Sequence, residues 1–456
     1  MSQTPPNTAP DTARPGAEPP ANPLRRVLVA TLAGTTIEYY DFYIYGTAAV
    51  LVFPRLFFPA GDETAALLAS LAVFGAGMVA RPLGALFFGH LGDRRGRKAP
   101  LAAALLTMGF ATFLIGLLPT YATAGWIAPL LLTLLRLAQG FAIGGEWSGA
   151  VTVATENAAP GRRALFGVFP QLGAPIGFIL ANGVFLTVAA LLPSDDPSQP
   201  SGAFLGWGWR IPFLVAGALA LIGVWVRLRL LESHAFTGAA TAGRLRPLPF
   251  ATAFREHGRA ILTGTGAMFA TTVLFFAMTT FSLSYGRAPV GAAPPGLGYD
   301  YGSFVLMLIA GSVVFALTTL ASGIVADRFG RRPTLITVTL AIAVFGLSWT
   351  PFLGAGFPGV MLWLVLGFAL MGFTFGPMGA FLPELFPVAV RQSGAGIAYN
   401  IASMLGASTA PFVTVALWRL GAGSPVWTGV YLTAAALVSL AALLAARESR
   451  EVDILV

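Results

Sequence analysis

Five ionisable side chains sit where charge is costly. Glu38, Asp41, Arg81, Arg136 and Glu146 each fall well inside an apolar run long enough to cross a bilayer, and all five belong to the first half of the chain. Even on a lenient insertion scale a charge at bilayer centre costs about 3 kcal/mol, so pairing or a wet cavity is expected. At a helical rise of ~1.5 Å per residue, Glu38 lies ~18 Å above Arg26, Arg81 ~18 Å above Asp93 and Glu146 ~15 Å above Glu156, a shared level near midplane. Asp41 stands one turn beyond Glu38 on nearly the same face. Arg136 is ~15 Å outward of Glu146 on its own helix. These depths predict an outer pair of Asp41 with Arg136, and an inner group of Arg81 with Glu146 and Glu38. Three carboxylates face two guanidiniums, so one bound proton would neutralise the set. That is a proton-coupling chemistry: Asp41 and Glu38 carry the proton, and Arg136 is the switch that can also meet a substrate carboxylate. The competing reading is a fixed staple between helices, and for Arg81 and Glu146 the two readings stand level.

The second half has no ionisable residue deep in an apolar run, so its contribution to a cavity must come from uncharged groups: Tyr285, Gln392, Tyr399, Asn400 and the aromatics of the seventh and tenth apolar segments. Tyr399 and Asn400 are candidates to hydrogen-bond a substrate, against an equal case for packing on Gly394 and Gly396. Gln171 and Asn182 are equally open. Gln139 is the better candidate, because it shares a helical face with Arg136.

These residues need long apolar elements to hold them. The chain has 456 residues, 56% hydrophobic and 10% charged, against about 25% charged for a soluble domain. Twelve apolar segments of bilayer length can be placed, at about 27–53, 64–90, 99–118, 126–155, 164–192, 208–231, 258–286, 300–326, 334–354, 359–383, 392–420 and 426–446. The expected fold is all-α: twelve transmembrane helices in two pseudo-symmetric six-helix bundles. Residues 1–24, polar and proline-rich, read as a disordered cytoplasmic tail rather than a cleavable signal. The bundles are expected over 25–231 and 258–446, joined by a cytoplasmic loop at 232–257 without a folded domain, with a cytoplasmic tail at 447–456.

Placing the N-terminus inside puts 21 of the 27 Arg and Lys in internal segments and four (Arg55, Arg210, Arg287, Arg419) outside. Positive charge marks the cytoplasmic side, so both termini are expected there, in a multi-pass protein of a bacterial inner membrane. Arg210, with Trp207 and Trp209, reads as an interfacial anchor. The same distribution explains the net charge of +8 without nucleic acid. There is no cysteine, which excludes disulfides and thiol chemistry. His90, His234 and His257 match no zinc spacing.

Two loops repeat. Gly89-x3-Asp93-Arg94-x-Gly96-Arg97-Lys98 recurs as Gly323-x3-Asp327-Arg328-x-Gly330-Arg331-Arg332, 234 residues later. Glu156, Pro160 and Arg163 recur as Glu384, Pro387 and Arg391 at offsets of 228, 227 and 228. Two matches near half the chain length indicate duplicated six-helix units. The glycines let a helix end approach its neighbour. The aspartates can accept from a helix N-terminus or an arginine. The arginines can bond the Glu156 or Glu384 loop. Such a cluster can latch the cytoplasmic side and release it on rocking. Gly89, Asp93, Arg94, Gly96, Arg97, Glu156, Gly323, Asp327, Arg328, Gly330, Arg331, Glu384 and Arg391 are therefore the expected cytoplasmic gate.

That repeated loop resembles the signature of the major facilitator superfamily. Gly34-Thr-Thr-Ile-Glu38-Tyr-Tyr-Asp41, Arg81-Pro82-Leu-Gly84, Arg136-Leu-Ala-Gln139-Gly140, Gly144-Gly145-Glu146-Trp147, Trp207-Gly-Trp209-Arg210-Ile-Pro212 and Gly394-x-Gly396-x-x-Tyr399-Asn400 are similar to its metabolite:proton symporter family, which includes permeases for shikimate, α-ketoglutarate, citrate and proline/betaine. Tyr39 departs from it, standing where the family more often has tryptophan. The resemblance implies proton-driven uptake of a small organic acid or zwitterion. It also supports an acid on the first helix and an arginine on the fourth as coupling groups.

The expected function is secondary active symport by alternating access, with a proton-coupled exporter on the same fold as the alternative. The expected partners are a small-molecule substrate, protons and the bilayer, with no nucleic acid and a monomer as the working unit. No cofactor is implied beyond the proton gradient. No metal cluster, nucleophile–base set or phosphate loop points to an enzyme.

Overall fold

In hydrocarbon a backbone N–H or C=O finds no water, so an apolar run satisfies its hydrogen bonds by coiling on itself. The computed structural model describes residues 24–59, 61–95, 98–144, 146–159, 161–192, 200–228, 249–387 and 390–451. Its long helices in the first half are α1 (Leu24–Leu51), α2 (Glu63–Arg95), α3 (Lys98–Leu117), α4 (Ile127–Glu156), α5 (Arg163–Leu191) and α6 (Arg210–Leu228). In the second half they are α7 (Gly258–Arg287), α8 (Tyr301–Phe329), α9 (Arg331–Leu347), α10 (Gly356–Glu384), α11 (Arg391–Leu420) and α12 (Val426–Ala445). Among the described residues, nine helices are long and apolar enough by length and composition to cross a membrane. The expected tail at 1–24 lies, but for Leu24, outside the described residues. So does the loop at 232–257 up to 248; its end forms a short helix, Pro249–Glu256, against α7 and α11. The last described residues, 447–451, fold back on the bundle rather than trailing from it.

The duplication is visible in the packing. In the first half α1 packs on α5, α2 on α4 and α3 on α6; in the second α7 packs on α11, α8 on α10 and α9 on α12. The halves meet where α5 crosses α8 and α10, and where α11 crosses α2 and α4. Close packing in lipid depends on small residues, and the α2–α4 contact shows why. A Cβ on Gly84 would lie 1.6 Å from the Phe141 carbonyl oxygen, on Gly140 1.8 Å from that of Gly77, and on Gly144 2.0 Å from that of Arg81.

Several helices depart from regular geometry, among them α5, interrupted at Leu172, and the approach to α6, a π-turn over Phe204–Gly208. α4 is interrupted between Ile143 and Glu146. Wide π-turns occupy Ala277–Phe281 in α7 and Ser403–Ala407 in α11, a feature frequent at functional sites.

Candidate functional site

Asp41 on α1 is 2% exposed and meets α3 and α4 in a closed polar network. The Thr112 hydroxyl donates to Oδ1 of Asp41. Gln139 donates from Nε2 to Oδ2 of Asp41 at 3.2 Å and to the Thr112 oxygen at 2.6 Å. Its Oε1 accepts from Nη1 of Arg136 at 3.2 Å. The pair expected from depth is thus bridged rather than direct. One turn of helix sets Gln139 beside Arg136, and a carboxamide can donate to the acid while accepting from the base.

Arg136 has no exposed surface. Its Nε donates to the Phe74 carbonyl at 3.3 Å, and its guanidinium carbon lies 4.2 Å from the ring centre of Tyr45 and 4.7 Å from that of Phe74. Nη2 has no hydrogen-bond partner. Cation–π contact substitutes in part for lost hydration.

Beside this network, between the halves, lies a cavity of about 30 Å³. Glu38 and Arg81 are on its wall, with Tyr39, Phe42, Phe275, Phe375 and Tyr399. Arg81 Nη2 is 3.6 Å from Glu38 Oε1. Glu146, expected in the same group, is 4% exposed and opens the second segment of α4. Arg136 and Gln139 are not on the described wall.

Tyr399 comes from the second half and is held by the first. Its ring stacks on Trp147 with centroids 4.0 Å apart and planes 8° apart. Its hydroxyl lies 3.4 Å from that of Tyr39, and the Arg81 guanidinium is 5.3 Å from its ring centre. Asn400 turns away from the cavity. Its Nδ2 donates to the Gly144 carbonyl at 2.7 Å, where α4 is interrupted, and to Gly396 at 2.8 Å.

The end bearing the repeated loops is closed by contacts across the halves. Asp327 of α8 accepts from the backbone N–H groups of Ala164 and Leu165 at the start of α5, both at 3.0 Å. Glu156 meets Arg391 at 3.2 Å, and Glu384 meets Arg163 at 3.8 Å. Arg331 holds Glu384 bidentately at 3.1 and 3.2 Å and also reaches Asp327 at 3.2 Å. Gly323 faces α5, where a Cβ would lie 2.9 Å from Leu165 Cα. Gly330 has φ +99°, a conformation suited to glycine. Arg328 is exposed, and its carbonyl accepts from Arg450 at 3.0 Å. Gly89, Asp93 and Arg94 end α2; Gly96 and Arg97 lie outside the described residues.

At the opposite end Asp62, before α2, pairs with Arg419 at the end of α11. Asp62 also accepts from the N–H of Thr64 at 2.8 Å. The Arg419 hydrogen bond, with those of the Ala65 and Thr64 backbone, holds its carboxyl below the ordinary range.

Phe275 and Phe375, aromatics of the seventh and tenth helices, do line the cavity; sequence reasoning gave no role to Thr112, Trp147, Asp62 and the fold-back residues Glu448 and Ser449. Glu448 accepts from the N–H groups of Arg331 and Arg332, both at 2.9 Å, and the Ser449 hydroxyl donates to Glu384 at 2.6 Å. For Thr112 a signal existed: with Thr107 it is one of two threonines in an α3 that is otherwise apolar after Lys98.

A profile of the family described as Major Facilitator Superfamily matches residues 31–411. The inner membrane metabolite transport protein YhjE of Escherichia coli K12 is 50% identical over 430 residues, covering 93% of this chain and 94% of that one. The shikimate transporter of Escherichia coli K12 is 36% identical over 437 residues, covering 93% and 95%. Among solved structures, the major facilitator proton:xylose symporter XylE bound to 6-bromo-6-deoxy-D-glucose superposes with a TM-score of 0.69 at 17% identity, over 92% of this chain and 94% of that one. At that identity the likeness carries the fold alone.

Proposed function

This chain belongs to the Major Facilitator Superfamily, as a membrane transporter of metabolites and not an enzyme, and on that premise we propose that it is a proton-coupled symporter taking up a small organic acid or zwitterion by alternating access. Residues 25–231 and 258–446 form the two rocking bundles, with 232–257 as the link. The excess of internal positive charge supports cytoplasmic termini, which puts the repeated loops and their interbundle ion pairs on the cytoplasmic face. Asp62 and Arg419 then close the outer face. One chain holds both bundles and the whole cavity wall, so a monomer is the working unit.

The observation that carries the coupling is the buried Asp41–Gln139–Arg136 chain beside the cavity. A proton on Asp41 removes the charge that holds Gln139 and, through it, Arg136. Movement of Arg136 in turn leaves Asp41 with an uncompensated charge that a proton cancels. A buried group without its counter-charge costs several kcal/mol, so protonation and helix movement are tied. Glu38, against Arg81, is the second proton site. Glu146 stands at the interruption of α4, where movement would alter its surroundings. Tyr399 closes the cavity towards Trp147, and Asn400 ties α11 to the α4 interruption, so that substrate contact and bending of α4 move together.

The test is uptake of labelled organic acids into proteoliposomes holding the full chain, with the outside acidified. One proton per substrate supports about tenfold accumulation per pH unit. Asp41→Asn is expected to abolish accumulation while leaving exchange of substrate across the membrane. Undiminished uphill uptake by Asp41→Asn removes it as carrier, and substrate moving outward against an inward proton flow makes the protein an exporter.

A further inference from the structure

Two arginines could take a substrate anion, and the geometry separates them. Arg136 is sealed behind Tyr45, Phe74 and Phe42 and is off the cavity wall. Arg81 is 6% exposed and on that wall. A structural arginine in this chain has the form of Arg331, bidentate to Glu384 at 3.1 and 3.2 Å. Arg81 has no such engagement. Its Nε has no hydrogen-bond partner, its Nη1 reaches only the Met78 sulfur at 3.7 Å, and Glu38 stands 3.6 Å from Nη2. A buried guanidinium fork with so little oxygen around it has its hydrogen-bonding capacity in reserve.

We infer that Arg81 is the substrate anchor, that it takes one carboxylate through its planar fork, and that the substrate is a monocarboxylate on a compact, largely apolar or ring-shaped body. This rests on the transport reading above and names its substrate class. The fork geometry matches a carboxylate bidentately. Arg81 is the one cation on the described wall, and no second cation stands ready for a di- or tricarboxylate. The rest of the wall favours an apolar body. Tyr39, Phe42, Phe275, Phe375 and Tyr399 supply ring faces, which bury apolar surface with defined geometry. The threonines there spend their hydroxyls inside the protein, Thr271 on Thr374 at 2.8 Å and Thr272 on the Phe269 carbonyl at 2.7 Å. Glu38 is the internal competitor for Arg81, a carboxylate the ligand displaces.

Binding to the purified full chain, without any gradient, tests this apart from transport. Isothermal titration uses shikimate and benzoate as acids, methyl shikimate and benzamide as neutral partners, and 2-oxoglutarate and citrate as polyanions. The expected result is binding of at least one of the two acids, with its neutral partner and the polyanions about tenfold weaker or worse. Arg81→Gln is expected to weaken that acid about tenfold or more, Arg81→Lys by an intermediate factor, and Glu38→Gln to tighten it. Should Arg81→Gln fail to fold, the double variant Arg81→Gln/Glu38→Gln, which leaves no unpaired buried charge, makes the same comparison. Equal binding of acid and neutral partner, no binding by either acid, preference for the polyanions, or full affinity after loss of Arg81 overturns the assignment. Normal acid binding without proton-driven accumulation indicts the symport reading instead and leaves Arg81 standing.

Discussion

Glu156 of the first half meets Arg391 of the second at 3.2 Å, and their repeat-mates answer in reverse, Glu384 of the second half meeting Arg163 of the first at 3.8 Å. Each half lends an acid and a base to the other, so the duplication becomes a pseudo-twofold clamp. Arg391 is 3% exposed but Glu156 is partly exposed, and Arg391 keeps a bond to the Phe386 carbonyl at 3.3 Å, so losing the pair costs less than the roughly 3–5 kcal/mol of a fully buried one. Under the proposed rocking mechanism, the clamp would favour the tilt in which this end is closed.

Breaking that clamp should open the end bearing the repeated loops. The chain has no cysteine, so single cysteines report without background. Ser148 packs between the halves against Gly396, and Ser148→Cys should label slowly with a maleimide in the wild-type frame. Adding Glu156→Gln is expected to raise the labelling rate several-fold, which is what a loss of roughly 1 kcal/mol gives for a partly exposed pair. Exchanging the charges as Glu156→Arg with Arg391→Glu should bring the rate back towards that of the parent. A rate unchanged by Glu156→Gln would mean that the pair does not control closure.

Gln139 joins Asp41 to Arg136, so its loss should uncouple before it inactivates. Gln139→Leu keeps the volume near that of glutamine but leaves Asp41 and Arg136 without their shared partner. An unmet buried polar group costs about 1–3 kcal/mol, which should appear as a lower melting temperature. Accumulation driven by a pH gradient should fall about tenfold, while exchange between equal substrate concentrations falls much less. Equal losses in both assays would assign Gln139 to folding or substrate contact rather than to coupling.

The opposite face should respond to acid through Asp62. Its carboxyl is held below the ordinary range by Arg419 and the backbone at the start of α2. A carboxylate with a lowered folded-state pKa contributes fully above its unfolded value, about 3.9 for Asp, and loses that contribution as pH falls through the lower folded value. Both residues of this pair are exposed, so the effect is modest and screened by salt. Thr280→Cys, lining the small cavity with Thr47 and Asn182, should label up to a few-fold faster, relative to a free-thiol standard that corrects for the falling thiolate fraction, as the medium is acidified below about pH 4. In an Asp62→Asn background this normalised rate should be raised at neutral pH and insensitive to acid.

The long helices and the duplication were legible for physical reasons. A helix crossing hydrocarbon needs about 20 apolar residues in a row, and Gly323-x3-Asp327 repeats Gly89-x3-Asp93 at fixed spacing. Depth along a helix could be counted, and Glu38 and Arg81 do share a level and meet at 3.6 Å. Rotation about the helix axis could not be counted, because the interruption after Ile143 and the π-turn at Ser403–Ala407 shift the phase of α4 and α11. Tyr399 and Asn400 precede that π-turn on one regular segment, where neighbours point about 100° apart, so Tyr399 faces the cavity while Asn400 bonds Gly144. Glu448 was illegible for another reason. Its contact with the start of α9 spans more than 100 residues and leaves no periodic trace.

Gly77 offers the sharpest separation of packing from coupling. It faces α4, where Gly140 would clash with backbone, its Cβ 1.8 Å from the Gly77 carbonyl oxygen. Backbone cannot yield without moving a helix, so Gly140→Ala should be strongly destabilising, beyond the roughly 1–3 kcal/mol typical of overpacking. A Cβ on Gly77 itself meets a side chain, lying 2.6 Å from Arg136 Nε and 3.0 Å from its Cδ. Gly77→Ala therefore pushes the guanidinium away from the Phe74 carbonyl and off Gln139 while the helices keep their spacing. The expected outcome is near-normal yield and a small drop in melting temperature, with a clear fall in proton-driven accumulation. Gly140→Ala should instead lower yield and accumulation together. If Gly77→Ala accumulates substrate as well as the parent protein, the position of Arg136 is not what couples the proton to movement.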